Sequence, residues 1–356
     1  MPSIASSPAR SLDDAVRQFP AVRGYLAACT LGLPTTATID ALRTDLTSWS
    51  LGLSDATGYG RTVERVRARY ASLVHSPVGT VAIGSQTSAL VSVVAATAPD
   101  GAEILCIDGD FSSLVAPFLV HADRGVAVRH VAIDDLAASI GPNTWLVAFS
   151  LVQSATGRIV DQDAVISAAH AAGALTLCDL TQATGWLPVD ASRFDVTVCH
   201  AYKWLCAPRG VAFLTVARTL LETLRPVQAG WYSGEDVWAS CYGPALHLSP
   251  DARRFDVSPA WQAWVGAEPV IDLFASLDAE AVHAHAVSLG DAMSEGLDID
   301  PRGQAIITWP DRDGSELAKL TAAGITASGR AGRARVAFHL WNTQDDVRAA
   351  LTALGR

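Results

Sequence analysis

The chain has 356 residues, 50% of them hydrophobic, and its 26 Lys and Arg against 36 Asp and Glu leave a formal net charge of −10. That length allows a large buried core and predicts one big unit plus a smaller one. The acidic balance argues against a nucleic-acid or anionic-membrane surface, which needs clustered cations, and leaves small-molecule chemistry.

The six cysteines, Cys29, Cys106, Cys178, Cys199, Cys206 and Cys241, have no paired metal-ligand spacing and mostly lie in apolar runs. They read as reduced core thiols, and no metal site is expected. Residues 1–5 have neither the basic start nor the apolar core of a signal peptide, and no apolar run reaches the length of a membrane span. The expected location is the cytoplasm.

Residues 1–24 read as a polar lead-in with a short helix over 12–19. An apolar segment over 25–34 follows, closed by a Gly/Pro break, and then helical patterns over 38–51 and 61–74. Over 80–91 a strand runs through Gly84 into Ser85-Gln86-Thr87 and an apolar helix. The free N–H groups and dipole of such a helix start can hold a phosphate, and Ser85, Gln86 and Thr87 add donors. An ordinary hydroxyl cap is the competing reading. The glycine spacing is neither a dinucleotide fingerprint nor a P-loop.

The strand over 103–108 empties into Gly109-Asp110-Phe111, where Phe111 either covers a flat ring or fills core. Extended stretches over 127–133, 145–151 and 174–178, with a helix over 162–172, continue a βαβα rhythm. This predicts a mainly parallel sheet covered on both faces, with ligands beyond the carboxyl ends of the strands. Ser85, Gln86, Thr87, Phe111, Gln153, Asp179 and Lys203 all fall at or just after such ends. Asp179, directly after a buried strand, needs a cation or donor, and either a protonated ring nitrogen or a structural partner meets that need. Lys203 sits in His200-Ala201-Tyr202-Lys203 behind another apolar run. A lysine there can lose its charge by desolvation and become the nucleophilic amine that a Schiff base requires, or it is an ordinary strand exit.

Beyond it come a strand over 211–216, an aromatic loop with hinge glycines around Trp231 and Tyr232, and a linking helix over 260–277. Extended stretches over 304–309, 325–328 and 335–340, with helices over 315–323 and 343–354, read as a small α+β domain. The expected division is 1–24, 25–259 and 260–356. Arg330, Arg333 and Arg335 suit a solvated face, although Arg335 could present a bidentate fork to a carboxylate.

Asp179-Leu180-Thr181-Gln182, Tyr202-Lys203-Trp204-Leu205-Cys206-Ala207-Pro208-Arg209-Gly210 and Arg335-Val336-Ala337-Phe338-His339-Leu340-Trp341-Asn342-Thr343 stand in that order behind the helix start and Phe111. Together they resemble pyridoxal phosphate enzymes of the class V aminotransferase family, over nearly the whole chain from Tyr25 onward. The resemblance implies the α/β fold type I, with a large domain built on a mainly parallel, seven-stranded-type sheet and a small C-terminal α+β domain. It also implies a homodimer with active sites at the interface and a small amino-acid substrate.

By position, the resemblance makes Lys203 the Schiff-base lysine of pyridoxal 5'-phosphate. Asp179 keeps the pyridine nitrogen protonated, Gln182 contacts the ring phenolate oxygen, and Phe111 stacks on the ring, completing a catalytic set that makes the cofactor an electron sink. Gln86, Thr87, His200 and Tyr202 hold the phosphate beside Ser85, with Ser258 reaching in from a second subunit. Trp231 occupies a Gly-Trp loop similar to that of kynureninases. Gln153 and Arg330 are pocket residues, and Arg335 binds the substrate carboxylate.

Cysteine desulfurases of the family carry a cysteine between the positions matching Arg330 and Arg335, where this chain has only Ala331-Gly332-Arg333-Ala334. Tyr202 is similar to kynureninases, and the run from Lys203 to Gly210 to isopenicillin N epimerase-like proteins. The expected activity is cleavage of an amino acid at Cβ or Cγ, either C–S or kynureninase-type C–C lysis. The alternatives are epimerisation or transamination, decided by proton placement from groups such as Tyr232 and His339, and, from another class, a cofactor-binding scaffold without catalysis.

Overall fold

Seven apolar segments assemble one sheet in the computed structural model, which describes residues 10–243 and 245–356. They are β1 (Val81–Gly84), β2 (Glu103–Ile107), β3 (Ala127–Val131), β4 (Thr144–Ser150), β5 (Leu175–Asp179), β6 (Val196–His200) and β7 (Ala212–Val216). Their spatial order is β1-β7-β6-β5-β4-β2-β3. Strands β2 to β6 pair in parallel, and β7 alone runs antiparallel to its neighbours β1 and β6. Every residue of β1, β6 and β7 is buried, which is why these strands read as continuous apolar runs instead of alternating ones.

The register brings the carboxyl ends level. Gly84 pairs with Ala212, which pairs with His200, while Asp179 pairs with Ser150 on one side and Val198 on the other. The end of β1 therefore lies two strand spacings, about 10 Å, from the end of β6.

A second, antiparallel sheet has the order β8-β10-β9, from β8 (Ile306–Pro310), β9 (Ser328–Arg330) and β10 (Arg333–Ala337). The apolar segment over 25–34 lies against this sheet, bridging Tyr25 to Thr326 and Ala27 to Ala337. It then crosses to the turn after β6, where Gly32 has no room for a side chain: a Cβ would sit 2.1 Å from the Lys203 carbonyl oxygen. The linking helix spans Trp261–Ala275, and the C-terminal helix Gln344–Leu354. No helix among the described residues is long and apolar enough to cross a membrane.

Two helices go beyond the sequence reading. Ala279–Gly296 buries Val282, Ala286, Leu289, Gly290 and Met293 along one stripe, a helical period diluted by alanine and histidine. Ser112–Leu119 begins immediately after Phe111 and tolerates Pro117 inside it. The expected strand over 325–328 lies three residues later, at β9. Residues 1–9 of the expected lead-in lie outside the described residues.

A buried ion pair ties the first strand to the segment before the linking helix. Arg67, on the helix Ala56–Leu73, donates to both Asp256 oxygens at 2.6 and 3.1 Å, to the Val81 carbonyl at 2.7 Å and to Glu64 at 3.0 and 3.1 Å. Asp256 also accepts from the Ile83 N–H at 2.8 Å. All five guanidinium donors are used, and both partners are 1% exposed, so desolvation of each charge is matched by direct bonds.

Candidate active site

The turn after β6 carries Lys203 into the protein. Its backbone is closed by the Ala201 N–H to the Val211 carbonyl and by the Cys206 N–H to the Lys203 carbonyl, at 3.0 and 3.1 Å. Cys206 sits at φ 56°, a left-handed conformation unusual outside glycine, and marks a strained turn directly after the lysine. Lys203 is 7% exposed, and among the described residues no hydrogen bond or carboxylate contact satisfies its amine. The Nζ lies 5.4 Å from the centre of the Phe111 ring and 5.6 Å from that of Tyr202. Burial pulls the ammonium down to about 8, against the opposing charge of Asp179.

Asp179, the last residue of β5, is 3% exposed and accepts the Thr181 N–H at 2.8 Å. Burial raises its carboxyl to about 6, with the Thr181 bonds and the Lys203 charge pulling the other way. This raised value lies above that of the unfolded chain. Below the ordinary carboxylate range the group costs nothing, and as pH rises through about 6 the folded cofactor-free protein loses stability. Asp179→Asn is therefore expected to stabilise the cofactor-free protein at pH 7.5 by about 2–3 kcal/mol, with no gain at pH 4. Denaturant unfolding at the two pH values checks this, and equal stabilities at pH 7.5 would contradict the desolvation argument.

Gln182 is held from both ends. Its Oε1 accepts the Trp204 indole N–H at 2.8 Å, and its Nε2 donates to the Cys29 carbonyl at 2.9 Å and to Ser154 Oγ at 3.3 Å. The same Ser154 joins it to Arg335, which donates through Nη1 to Ser154 Oγ at 3.1 Å and to the Ser154 carbonyl. Arg335 further donates to Ser328 Oγ at 3.0 Å and to Thr30 Oγ1 at 2.9 Å. It is 1% exposed, and among the described residues no carboxylate pairs with it. A buried guanidinium held by neutral acceptors retains its attraction for an incoming carboxylate.

The ring-covering and phosphate-type residues also gather at the strand ends. Phe111 is fixed by Asp110, which accepts the Phe111 N–H at 2.7 Å, the Ser150 N–H and hydroxyl at 2.9 and 2.6 Å, and Gln153 Nε2 at 3.2 Å. Gln86 begins the helix Thr87–Ala95 without a side-chain cap, next to the exposed Ser85. His200 is buried and donates its N–H to Thr181 Oγ1 at 3.0 Å; its ring packs edge-on to Tyr202, which Arg209 covers at 4.4 Å. Burial, with the Arg209 and Lys203 charges, holds the imidazole down to about 4, so it is neutral at pH 7.

Two buried side-chain atoms at these ends, Thr87 Oγ1 and His200 Nε2, have no hydrogen-bond partner among the described residues. Other buried side-chain atoms among the described residues are also unpartnered, and these two bear on a ligand because they face the strand ends beside Lys203 and the helix start. Together with an unsatisfied lysine, an uncompensated acid and an open helix start, they fit a group carrying a phosphate, a basic ring nitrogen and a carbonyl.

Other expected site residues lie apart within one chain. Trp231 packs on Tyr232 and Trp238, with ring centroids 5.2 and 5.3 Å away. Tyr232 lines a cavity of about 680 Å³ with Glu64, Arg65 and Arg253. Among the described residues no hydrogen bond or ring contact joins Trp231 or Tyr232 to Lys203, Asp179 or Arg335. Ser258 is exposed, two residues past the buried Asp256. Arg330 is exposed and donates to the Gly329 carbonyl at 2.7 Å, near enough for its charge to act on both Lys203 and Arg335.

His339 is no proton carrier for the pocket. Its Nε2 meets the Trp204 carbonyl at 2.8 Å, its Nδ1 accepts the Leu340 N–H at 2.7 Å, and its ring stacks 4.3 Å from Trp341. It braces the lysine turn from behind. Ser154, Thr30, Asp110, Trp204 and Cys29 are the site residues that sequence reasoning missed. Trp204 stood beside Lys203 in the motif, but the others are small or acidic loop residues whose partners lie far along the chain.

The family model for aminotransferase class-V matches residues 56–329. A kynureninase of Deinococcus radiodurans is 30% identical over 255 residues, covering 68% of this chain and 61% of that protein. An isopenicillin N epimerase of Streptomyces clavuligerus is 29% identical over 292 residues, covering 74% of this chain and 72% of that one. The solved structure of the cysteine desulfurase CsdA from Escherichia coli shares the fold, with a TM-score of 0.84 over 98% of both chains at 20% identity.

Proposed function

The chain belongs to the class V aminotransferase family, and from that premise we propose that it is a pyridoxal phosphate lyase acting on a free amino acid. The observation that carries the reading is the buried, unsatisfied Lys203 standing between the Asp179 acid and the carboxylate-free Arg335. When bound, pyridoxal phosphate supplies an electrophilic carbonyl and a ring that stores electrons. Lys203 would hold it through the amine, Asp179 through the ring nitrogen, and Gln182 through the ring oxygen by giving up the 3.3 Å bond from its Nε2 to Ser154. Ser85, Gln86, Thr87, His200 and Tyr202 would hold the phosphate, and Phe111 would cover the ring.

Arg335 binds the substrate carboxylate and so fixes which Cα bond faces the lysine. Lys203, deprotonated readily because its charge is desolvated, takes the Cα proton as a general base. Its neighbours Phe111 and Tyr202 keep water from the amine. With both His339 ring nitrogens bonded to backbone and Tyr232 lying apart within one chain, Lys203 is the proton carrier at Cα in this subunit. The kynureninase relative accords with C–C or C–S lysis, and the epimerase relative supports inversion at Cα as the second reading.

The reading includes a homodimer in which the exposed Ser258 of one subunit completes the phosphate contacts of the other. Exposed Trp238, 47% accessible beside Trp231, supports a covered apolar face on this subunit.

The test is a panel of kynurenine, cysteine conjugates and cysteine sulfoxides, followed for alanine, pyruvate, sulfur release and Cα deuterium exchange. A cleavage product is expected. Exchange with no cleavage product from any member would replace the lyase reading with the epimerase one. Arg335→Ala is expected to raise KM for the amino acid by about 10- to 100-fold while the cofactor stays bound, since a charge-assisted bond is worth about 1.5–3 kcal/mol. Unchanged saturation would remove Arg335 from this role.

A further inference from the structure

Against the small sheet, bordered by Thr156 and Arg158 of the loop that carries Ser154, lies a cleft of about 350 Å³. Three arginines from separate parts of the chain line it: Arg158 from the loop after β4, Arg302 from the segment before β8, and Arg333 from β10. Arg333 donates to Thr308 Oγ1 and the Thr308 carbonyl at 3.0 and 2.9 Å and, among the described residues, meets no carboxylate. Arg302 is exposed and likewise unpaired among the described residues, while Arg158 pairs with Asp134. The facing acids are Asp300 in the lining and Asp134 at its rim, so three guanidiniums meet two carboxylates. Ile299 and Ile307 give the cleft an apolar floor.

We propose that this cleft is a second ligand site, apart from the Lys203 pocket, for a small molecule carrying an oxyanion group on a compact apolar body. The oxyanion would lie between Arg302 and Arg333, where planar forks can bind it bidentately, and the body over Ile299 and Ile307. Arg158 ties such a ligand to the 153–158 loop. That loop is already pressed on the small sheet, since a Cβ at Gly157 would sit 2.1 Å from the Ile306 carbonyl oxygen. Ser154 in the same loop holds Gln182 and Arg335. A ligand bridging Arg158 to Arg302 and Arg333 therefore pins the loop that positions the substrate-side arginine.

Calorimetry on the pyridoxal phosphate-loaded protein tests this with phenyl phosphate as probe and phenol as the uncharged control. Saturable binding of phenyl phosphate is expected, at least about tenfold weaker in Arg302→Gln and in Arg333→Gln, with phenol failing to bind. Amide exchange over 153–158 should slow when the probe is bound. No binding to the wild type, wild-type affinity in both variants, or phenol binding as well as phenyl phosphate overturns the site. Binding with unchanged exchange over 153–158 overturns the bridge to the loop. Arg302 is exposed and makes no side-chain hydrogen bond or ion pair among the described residues, so its variant is expected to fold even where Arg333→Gln does not. No arm depends on knowing the reaction.

Discussion

Lys203→Ala is expected to lower turnover of the amino-acid substrate by at least about 10³-fold and to abolish the visible absorbance of the covalently held cofactor. In the proposed reading the amine serves twice, as anchor and as base, and among the described residues no other lysine stands in the turn to replace it. The fold should survive. Lys203 makes no ion pair or hydrogen bond whose loss would strand a partner, and burial already disfavours its charge. Far-ultraviolet circular dichroism and thermal unfolding check the fold, and absorbance and product assays check the function. A variant within tenfold of wild-type activity would end the assignment of Lys203 as anchor and base.

Asp256→Ala is the scaffold counterpart, expected to destabilise the protein by about 3–5 kcal/mol in urea unfolding. The loss leaves Arg67 charged and buried, with two donors unmet, and the Ile83 N–H without its acceptor. Because that N–H belongs to β1, the effect reaches the strand that ends at Ser85-Gln86-Thr87, and weaker cofactor retention is expected with the lower stability. The double variant Arg67→Met/Asp256→Leu removes both charges together and should recover most of the loss, since an apolar pair needs no compensation in the interior. A single variant as stable as wild type would show that water reaches Arg67.

Burial pushes the carboxyls of both Asp179 and Asp256 up to about 6, so what separates the two acids is the partner each has and not the sign of the pH effect. Asp179 is an acid with no ion-pair partner among the described residues and only the partial pull of the Lys203 charge, and it weakens the fold of the cofactor-free protein as pH rises through about 6. Arg67 and Asp256 compensate one another directly. The first arrangement suits an acid waiting for a ring nitrogen, the second a permanent joint.

Much of this was legible in the chain. Continuous apolar runs announced a covered parallel sheet because strands buried on both faces have no polar side to show, and the residues closing those runs, Thr87, Phe111, Asp179 and Lys203, stand together because parallel strands end on one edge. Local sequence also placed most helices, since their period is carried by neighbours in the chain. Ala279–Gly296 escaped because its buried face is largely small residues, which weaken the periodic signal.

What only the tertiary structure decided are contacts between residues far apart in sequence. Nothing local to Ser154 says that it joins Gln182 to Arg335, 181 residues further on, or that Thr30 and Cys29 cross from the small sheet to meet them. His339 is expected from the sequence to be a pocket group that places protons, and it is instead a brace because both ring nitrogens meet backbone partners. Residue type and strand ends determine what chemistry the chain carries; packing determines which of those groups remain unsatisfied, and an unsatisfied buried group is what makes a site.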